Sequence, residues 1–253
     1  MADRNQSYDA LFLRAKDSPA GDRIVSVLTA DAGIFDAFVF GGARSSLRSS
    51  ASPFVHARIF VYEDPVRHYR KLSDLSIIES FSGLRGSYAT LWSASLIAEL
   101  ILKTSGCGGE YGEVMDLSLQ ALRLLDSEPE EKADMILLAY LWKILAVMGL
   151  QPDLDRCASC GKKLVLNDGE AWPRTGMRYS TTQDGFVCEV CGEEALPSIA
   201  EGVLGCMRSF SGSSLADCAA LDTDDASLSS LKGVIYYLSQ KAAEGSLLSL
   251  SSE

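Results

Sequence analysis

The chain carries two rhythms. Between about residues 7 and 78 apolar and polar positions alternate, and from residue 83 the apolar positions recur every three or four residues. Alternation puts successive side chains on opposite faces of a strand, whereas 3.6 spacing lines one face of a helix. YDALFLRAK predicts a short strand with Leu11 and Leu13 on one face. DRIVSVLTADAGIFDAFVFGG reads as two strands around Asp31-Ala32-Gly33, a hairpin turn signal. PFVHARIFVYEDPVRHYRKLSDLSII reads as two more, broken at Glu63-Asp64-Pro65. Five short strands punctuated by turn residues suggest a small barrel or a sandwich.

The fourth strand is the most regular. Val55, Ala57, Ile59 and Val61 form one face, and Phe54, His56, Arg58, Phe60 and Tyr62 the other. In the fifth, Arg67, Tyr69 and Lys71 share a face, with His68, Arg70 and Leu72 opposite. Cations interleaved with aromatic rings on a strand surface suit single-stranded nucleic acid, where guanidinium groups meet phosphates and rings stack on bases.

In the helical part, Tyr88, Leu91, Trp92, Leu96, Leu100 and Ile101 keep one face, and a second helix is expected over Tyr111 to Leu125. Ser127-Glu128-Pro129-Glu130 resembles a capping box with an early proline. Ile136, Leu137, Tyr140, Leu141, Ile144, Leu145 and Met148 follow as the buried stripe of a third helix, with Gly149 placed to end it and Pro152 to prevent its continuation. Helical signals return at Pro197–Phe210 and Leu228–Ala243, with a short loop at 211–214.

Between them lies a cysteine section, about 153–193. Cys157, Cys160, Cys188 and Cys191 form two C-x-x-C-G turns, CASCG and CEVCG. Each turn supplies two thiolates from one bend, and four thiolates fill the tetrahedral shell of a single structural Zn²⁺. Gly161 and Gly192 stand where a left-handed residue is expected. KLVLN and MRYSTT are candidate strands of a hairpin in the gap. A thioredoxin-like dithiol expects its CxxC at a helix start near a βαβ pattern, and neither pair has that context. Four cysteines leave no open position for water, so the expected site is structural. Cys206 reads as a core thiol, and Cys107 and Cys218 have no assigned role.

Composition redirects the search for an anionic partner. The net charge of −11 argues against nucleic acid, but residues 1–85 carry 11 Lys and Arg against 10 Asp and Glu, while 86–253 carry 12 against 24. An anionic ligand is therefore expected on the first third. MADRNQSYDA has no apolar leader and no run of about 18 apolar residues exists, so the expectation is a cytoplasmic protein without membrane attachment. No H-E-x-x-H, P-loop, G-x-S-x-G or GxGxxG stands in context, and the expectation is no enzymatic activity. Asp222, Asp224 and Asp225 are the nearest approach to a metal-dependent hydrolase cluster and read as a helix-start turn.

Taken in order, these segments resemble the bacterial RecO family. LFLRAKDSPAGDRIVSVLTADAG is similar to the family's first hairpin, with Asp22-Arg23-Ile24-Val25 and Thr29 at familiar places. Gly42-Ala43-Arg44 matches its Gly-Ala-Arg motif, LSDLSIIESF the strand leading into the helices, and Ala98-Glu99-Leu100 part of the first long helix. Gly149-Leu150-Gln151-Pro152, followed by Cys157-x-x-Cys160-Gly161, is the most specific segment. Past Gly-Ala-Arg the family continues with more Arg and Lys, where this chain has Ser45-Ser46-Leu47-Arg48.

The resemblance implies an α+β protein. A five-stranded, oligonucleotide-binding-type (OB-like) β-barrel at 1–82 would be followed by an α-helical domain at 83–253 carrying a four-cysteine zinc-knuckle insertion. It implies binding of single- and double-stranded DNA, annealing of complementary strands, and partnership with RecR. It also implies contact with the acidic tail of single-stranded-DNA-binding protein and, indirectly, loading of RecA. The candidate DNA-binding cations are Arg14, Lys16, Arg23, Arg44, Arg48, Arg58, Arg67, Arg70 and Lys71. The alternative is a zinc-stabilised protein-interaction scaffold with little direct DNA binding.

Overall fold

The structure, a computed structural model, describes residues 5–18, 21–41, 45–64, 69–105, 110–164, 177–192 and 199–252. The chain divides into two compact units, residues 1–134 with 243–253, and residues 135–242.

In the first unit, β1 (Asn5–Asp17), β2 (Arg23–Thr29), β3 (Gly33–Val39), β4 (Val55–Asp64) and β5 (Tyr69–Ser80) close into a barrel in the order β1-β2-β3-β5-β4. Closure works because β1 is long. Its first half pairs antiparallel with β4 and its second with β2, with a register shift between Phe12 and Arg14. β3 and β5 meet in parallel, with Phe38 opposite Lys71. Alternation fills the interior with Phe12, Val25, Val27, Phe35, Ala37, Val39, Val55, Ala57, Ile59, Val61 and Leu72. The inward set of β4 is therefore the one its sequence marks. The turn between β2 and β3 falls at the Asp31-Ala32-Gly33 signal. Gly33 has φ +67°, and a Cβ there would lie 2.7 Å from the Tyr111 ring, so glycine is needed for conformation and for space.

Among the described residues, the α-helices lying wholly in this unit are α1 (Ser46–Ser50), α2 (Tyr88–Lys103) and α3 (Tyr111–Ser127). In α2 the buried face is Ala94, Leu96, Ile97, Ala98, Leu100 and Ile101, while Tyr88 and Leu91, expected in the buried stripe, are exposed. The apolar spacing is right for a helix but broader than the face that packs. His56, expected on the outward face of β4, is buried there. Its Nδ1 lies 3.7 Å from Glu79, which Arg123 of α3 grips through two hydrogen bonds of 2.6 and 2.8 Å.

Residues 243–252 return to α2 as a strap. Leu247 is fully buried, and the Glu99 carboxylate accepts the backbone N–H groups of Leu248 and Ser249 and the Ser249 hydroxyl, at 2.7, 2.9 and 2.7 Å. The Trp92 indole donates to the Ser249 carbonyl at 2.9 Å. Burial opposes the charged form of Glu99, but the donors from Ser249, Leu248 and Lys103 outweigh it and hold the pKa below the usual carboxylate value. A depressed folded-state pKa contributes stability that is complete above the unfolded value and lost as pH falls through the folded one. Glu99→Gln removes the charge at any pH. It should accelerate hydrogen exchange of the Leu248 and Ser249 amides at neutral pH by the loss of roughly 1.5–3 kcal/mol, and leave the barrel amides unchanged. Unchanged exchange at those two amides would show that the Glu99 carboxylate is not what holds the strap, leaving Leu247 and the Trp92 indole to do so.

In the second unit, α4 (Ala133–Val147, which begins two residues before the unit does) is buried on every side from Met135 to Trp142. Such an all-round apolar helix is a central one. It ends as expected: Gly149 has φ +68°, the Leu150 N–H reaches the Leu145 carbonyl at 2.8 Å, and the Gly149 N–H reaches Ala146 at 2.9 Å. Its start differs from the expected capping box. Ser127 remains in the last turn of α3, where its hydroxyl donates to the Arg123 carbonyl at 2.8 Å, and a 3-10 turn at Glu130–Lys132 leads into α4. The hairpin of β6 (Arg178–Ser180) and β7 (Gly185–Val187) precedes α5 (Glu201–Gly212), α6 (Leu215–Ala219) and α7 (Asp225–Ala242). Of the two candidate strands, MRYSTT supplies β6, while most of KLVLN lies outside the described residues. Cys206 and Cys218 are both buried, and burial pushes both thiols up; Cys107 lies outside the described residues.

Candidate metal centre and nucleic-acid interface

The four knuckle cysteines converge. Cys157, Cys160, Cys188 and Cys191 place their sulfurs within 4.8 Å of one another. Cys160 and Cys188 are 3.9 Å apart, far longer than a disulfide. It is close to the edge of about 3.8 Å that a tetrahedron of metal–sulfur bonds near 2.3 Å requires. The first knuckle closes through Gly161 N–H to the Cys157 carbonyl, 2.9 Å, and the second through Gly192 N–H to Cys188, 2.8 Å.

The hairpin joins the two knuckles. The Ala158 N–H donates to the Phe186 carbonyl at 2.8 Å, and the Cys188 N–H donates to the Cys157 sulfur at 3.3 Å. A Cβ on Gly185 would sit 2.7 Å from the Ala158 Cβ, so glycine permits this approach. Gly161 has the expected left-handed backbone, φ +70°. Gly192 does not. It is glycine because the Arg178 side chain crosses it, with Cδ 2.9 Å from where a Cβ would lie.

Four thiols this close cannot readily share negative charge. Burial opposes the Cys157 thiolate, but N–H donors from Cys160, Cys188 and Ser159 overcome it and lower its pKa to about 6. Hydrogen bonds with Cys188 and Cys160 push Cys191 up to about 12. A divalent cation removes that conflict by compensating all four, so the donor set and spacing fit a tetrathiolate metal ion.

On the barrel, outward side chains at the end of β3 and the start of β5 form an aromatic surface. The Phe38 and Phe40 rings lie 6.1 Å apart at an interplanar angle of 13°, and Tyr69 meets Phe38 edge-on at 6.1 Å. Lys71 stands 5.6 Å above the Phe40 ring, and Tyr62 of β4 pairs across from Lys71. Phe40 is 41% exposed, a large ring left in solvent beside a cation. A cleft of about 420 Å³ opens alongside, walled by Phe35, Phe38 and Tyr69 and edged by Arg70 and three carboxylates, Asp36, Glu63 and Asp64. The rings can stack bases and Lys71 can attract phosphate, while the carboxylates of the cleft oppose it.

The sequence profile described as Recombination protein O N terminal matches residues 1–81, and that described as Recombination protein O C terminal matches 85–250. The chain belongs to the RecO family. Among curated relatives, the protein named DNA repair protein RecO of Anaeromyxobacter dehalogenans (strain 2CP-C) is 31% identical over 216 residues, 83% of this chain and 80% of the relative. That of Heliobacterium modesticaldum is 27% identical over 203 residues, 79% of this chain and 71% of the relative, and bears the same name.

Of the nine candidate cations in this RecO-family chain, Arg44 and Arg67 lie outside the described residues. Lys71 joins the aromatic surface. Lys16 and Arg14 are exposed on β1, with Arg14 donating to the Ser26 hydroxyl at 3.3 Å. The other four are committed to carboxylates. Arg23 and Arg48 converge on Asp17 at 3.2 and 2.9 Å, and Arg48 also donates to the Gly21 carbonyl at 2.6 Å. Arg58 pairs with Asp9 at 2.9 Å. Arg70 pairs with Glu63 at 2.6 Å and lies 4.3 Å over the buried Phe35 ring, on the opposite face of β5 from Lys71.

Phe38 and Phe40 were not among the expected site residues. The signal was present in GIFDAFVF, where Phe35, Ala37 and Val39 point inward and Asp36, Phe38 and Phe40 outward. The aspartate cluster is a helix start, as read: Asp224 accepts the Ser227 N–H at 2.8 Å and its hydroxyl at 2.9 Å. No helix among the described residues is long and apolar enough to cross a membrane.

Proposed function

We propose that this RecO-family chain acts in DNA repair and recombination as a non-enzymatic, cytoplasmic mediator that binds single- and double-stranded DNA and anneals complementary strands. In this reading residues 1–82 are the nucleic-acid module and 83–253 the helical region, of which 83–134 and 243–253 belong to the compact unit of the barrel, with the insertion at 153–193. One structural Zn²⁺ on Cys157, Cys160, Cys188 and Cys191 holds that insertion. With RecR, the protein helps load RecA onto DNA covered by single-stranded-DNA-binding protein, whose acidic tail it contacts. The observation that carries the reading is the aromatic surface of Phe38, Phe40 and Tyr69 with Lys71 on a closed barrel. Annealing needs no nucleophile. It needs two strands gathered, their repulsion reduced and their bases left able to pair.

A second reading, a protein-interaction scaffold with little direct DNA binding, is favoured by the carboxylates that neutralise Arg23, Arg48, Arg58 and Arg70. Salt dependence separates the cases. If Arg14, Lys16, Arg44, Arg67 and Lys71 grip single-stranded DNA while the other four keep their partners, log Kobs should fall with log[salt] at a slope of about −3.5. Engagement of all nine gives about −6. Fluorescence anisotropy with a labelled oligonucleotide measures the slope. Absence of binding at low salt, with and without RecR, together with retention of RecR in a pull-down, would establish the scaffold instead.

A further inference from the structure

The metal centre has a second layer that its four cysteines do not include. A divalent ion within four thiolates carries a formal charge of −2, and although only Cys157 of the four is buried, a cation held beside the sulfurs and away from solvent offsets that charge. Of the cations in the cysteine section among the described residues, Arg156, Lys162 and Lys163 are exposed to solvent, where their fields are screened. Arg178 is different. It lies on β6 opposite Val187, the residue that leads directly into Cys188. Its stem crosses Gly192, the residue that directly follows Cys191, with Cδ and Cγ 2.9 and 3.6 Å from where a Cβ would stand. Its Nε is shielded from solvent. Arg178 thus spans the second knuckle from the residue before its first cysteine to the residue after its last, with its stem against Gly192 and its Nε shielded from solvent.

We propose that Arg178 is the counter-ion of the tetrathiolate centre. Its charge offsets the net negative charge of the occupied centre and slows metal loss, and Gly192 is glycine to admit its stem. The proposal rests on the reading of the four cysteines as a zinc site. It concerns positioning and charge only, since the centre has no open coordination position for chemistry.

The test compares the rate at which purified protein yields zinc to a chromogenic chelator, after elemental analysis of each preparation. Arg178→Met keeps an unbranched apolar stem and removes the charge, while Arg178→Lys keeps the charge. Arg178→Met should release zinc about 10-fold faster than wild type, the scale on which partners of metal ligands act, and Arg178→Lys should stay within about twofold. Gly192→Ala leaves the arginine in the chain but pushes its stem off the knuckle, so it should also accelerate release; it supplies the test should Arg178→Met fail to fold. Equal release by wild type, Arg178→Met and Gly192→Ala would overturn the counter-ion role while leaving the zinc site standing. Release from Arg178→Lys as fast as from Arg178→Met would overturn it too, by showing that charge is not what matters. Wild-type protein purified without chelator and holding less than about half an equivalent of zinc would overturn the metal reading itself, and the counter-ion with it.

Discussion

Cys157→Ser should release the metal and loosen the knuckles and hairpin of the second unit, while the barrel stays folded. Cys157 is the most buried of the four converging cysteines, at 2% exposure. Its sulfur accepts the Cys188 N–H, its own N–H donates to Lys162 and its carbonyl accepts from Gly161, so it ties both knuckles together. Structural zinc can supply roughly 10 kcal/mol or more in modules with little other core. Here α4, α5 and α7 contribute apolar packing of their own, so part of the unit should survive. Even 1 kcal/mol moves the midpoint of a unit this size by roughly 4–8 °C, so the loss should be plain in thermal melts. Elemental analysis and a melt with probes in each unit check it. A variant that keeps one equivalent of zinc and melts as wild type does would contradict the tetrathiolate reading.

The second large effect is expected at Phe38 and Phe40. Base–aromatic stacking contributes about 1–3 kcal/mol per ring. Phe38→Ala with Phe40→Ala should therefore weaken single-stranded DNA binding by about 30-fold or more. Phe40 is 41% exposed and Phe38 half-buried, so neither truncation opens a sealed cavity and the barrel should keep its stability. The diagnostic is the salt slope. Stacking releases no counterions, so affinity should fall at every salt concentration with the slope unchanged. Lys71→Glu should instead make the slope shallower. Should the double variant bind as wild type does, the DNA path lies elsewhere on the chain.

Much of this architecture was legible in the sequence because it depends on local periodicity. The inward set of β4, the turn before Gly33, the glycine that ends α4 and the two CxxCG turns each follow from residues a few positions apart. The sequence misleads where one local signal overrides another or where a distant partner decides. Ser127 resembles a cap, but the leucines before it continue α3, and its hydroxyl bonds backward to Arg123. His56 alternates outward correctly, yet is buried beside Glu79, which α3 holds through Arg123. Gly192 looks like a second left-handed glycine, but its need is room for a side chain from another strand.

CASCG and CEVCG were sufficient to single out the four cysteines whose sulfurs converge, because spacing within each turn is a local property and thiols so paired have few other uses. The sequence also assigned a strand-rich first third and a helical remainder, because hydrophobic period follows backbone geometry. Which of the candidate cations are tied to carboxylates was decided by the tertiary structure alone. Asp17, Asp9 and Glu63 reach Arg23, Arg48, Arg58 and Arg70 through turns and strand pairings that bring distant residues together. The aromatic surface has the same origin. Phe38 meets Lys71 because closing the barrel sets β5 beside β3, a pairing across 33 positions that no local pattern encodes.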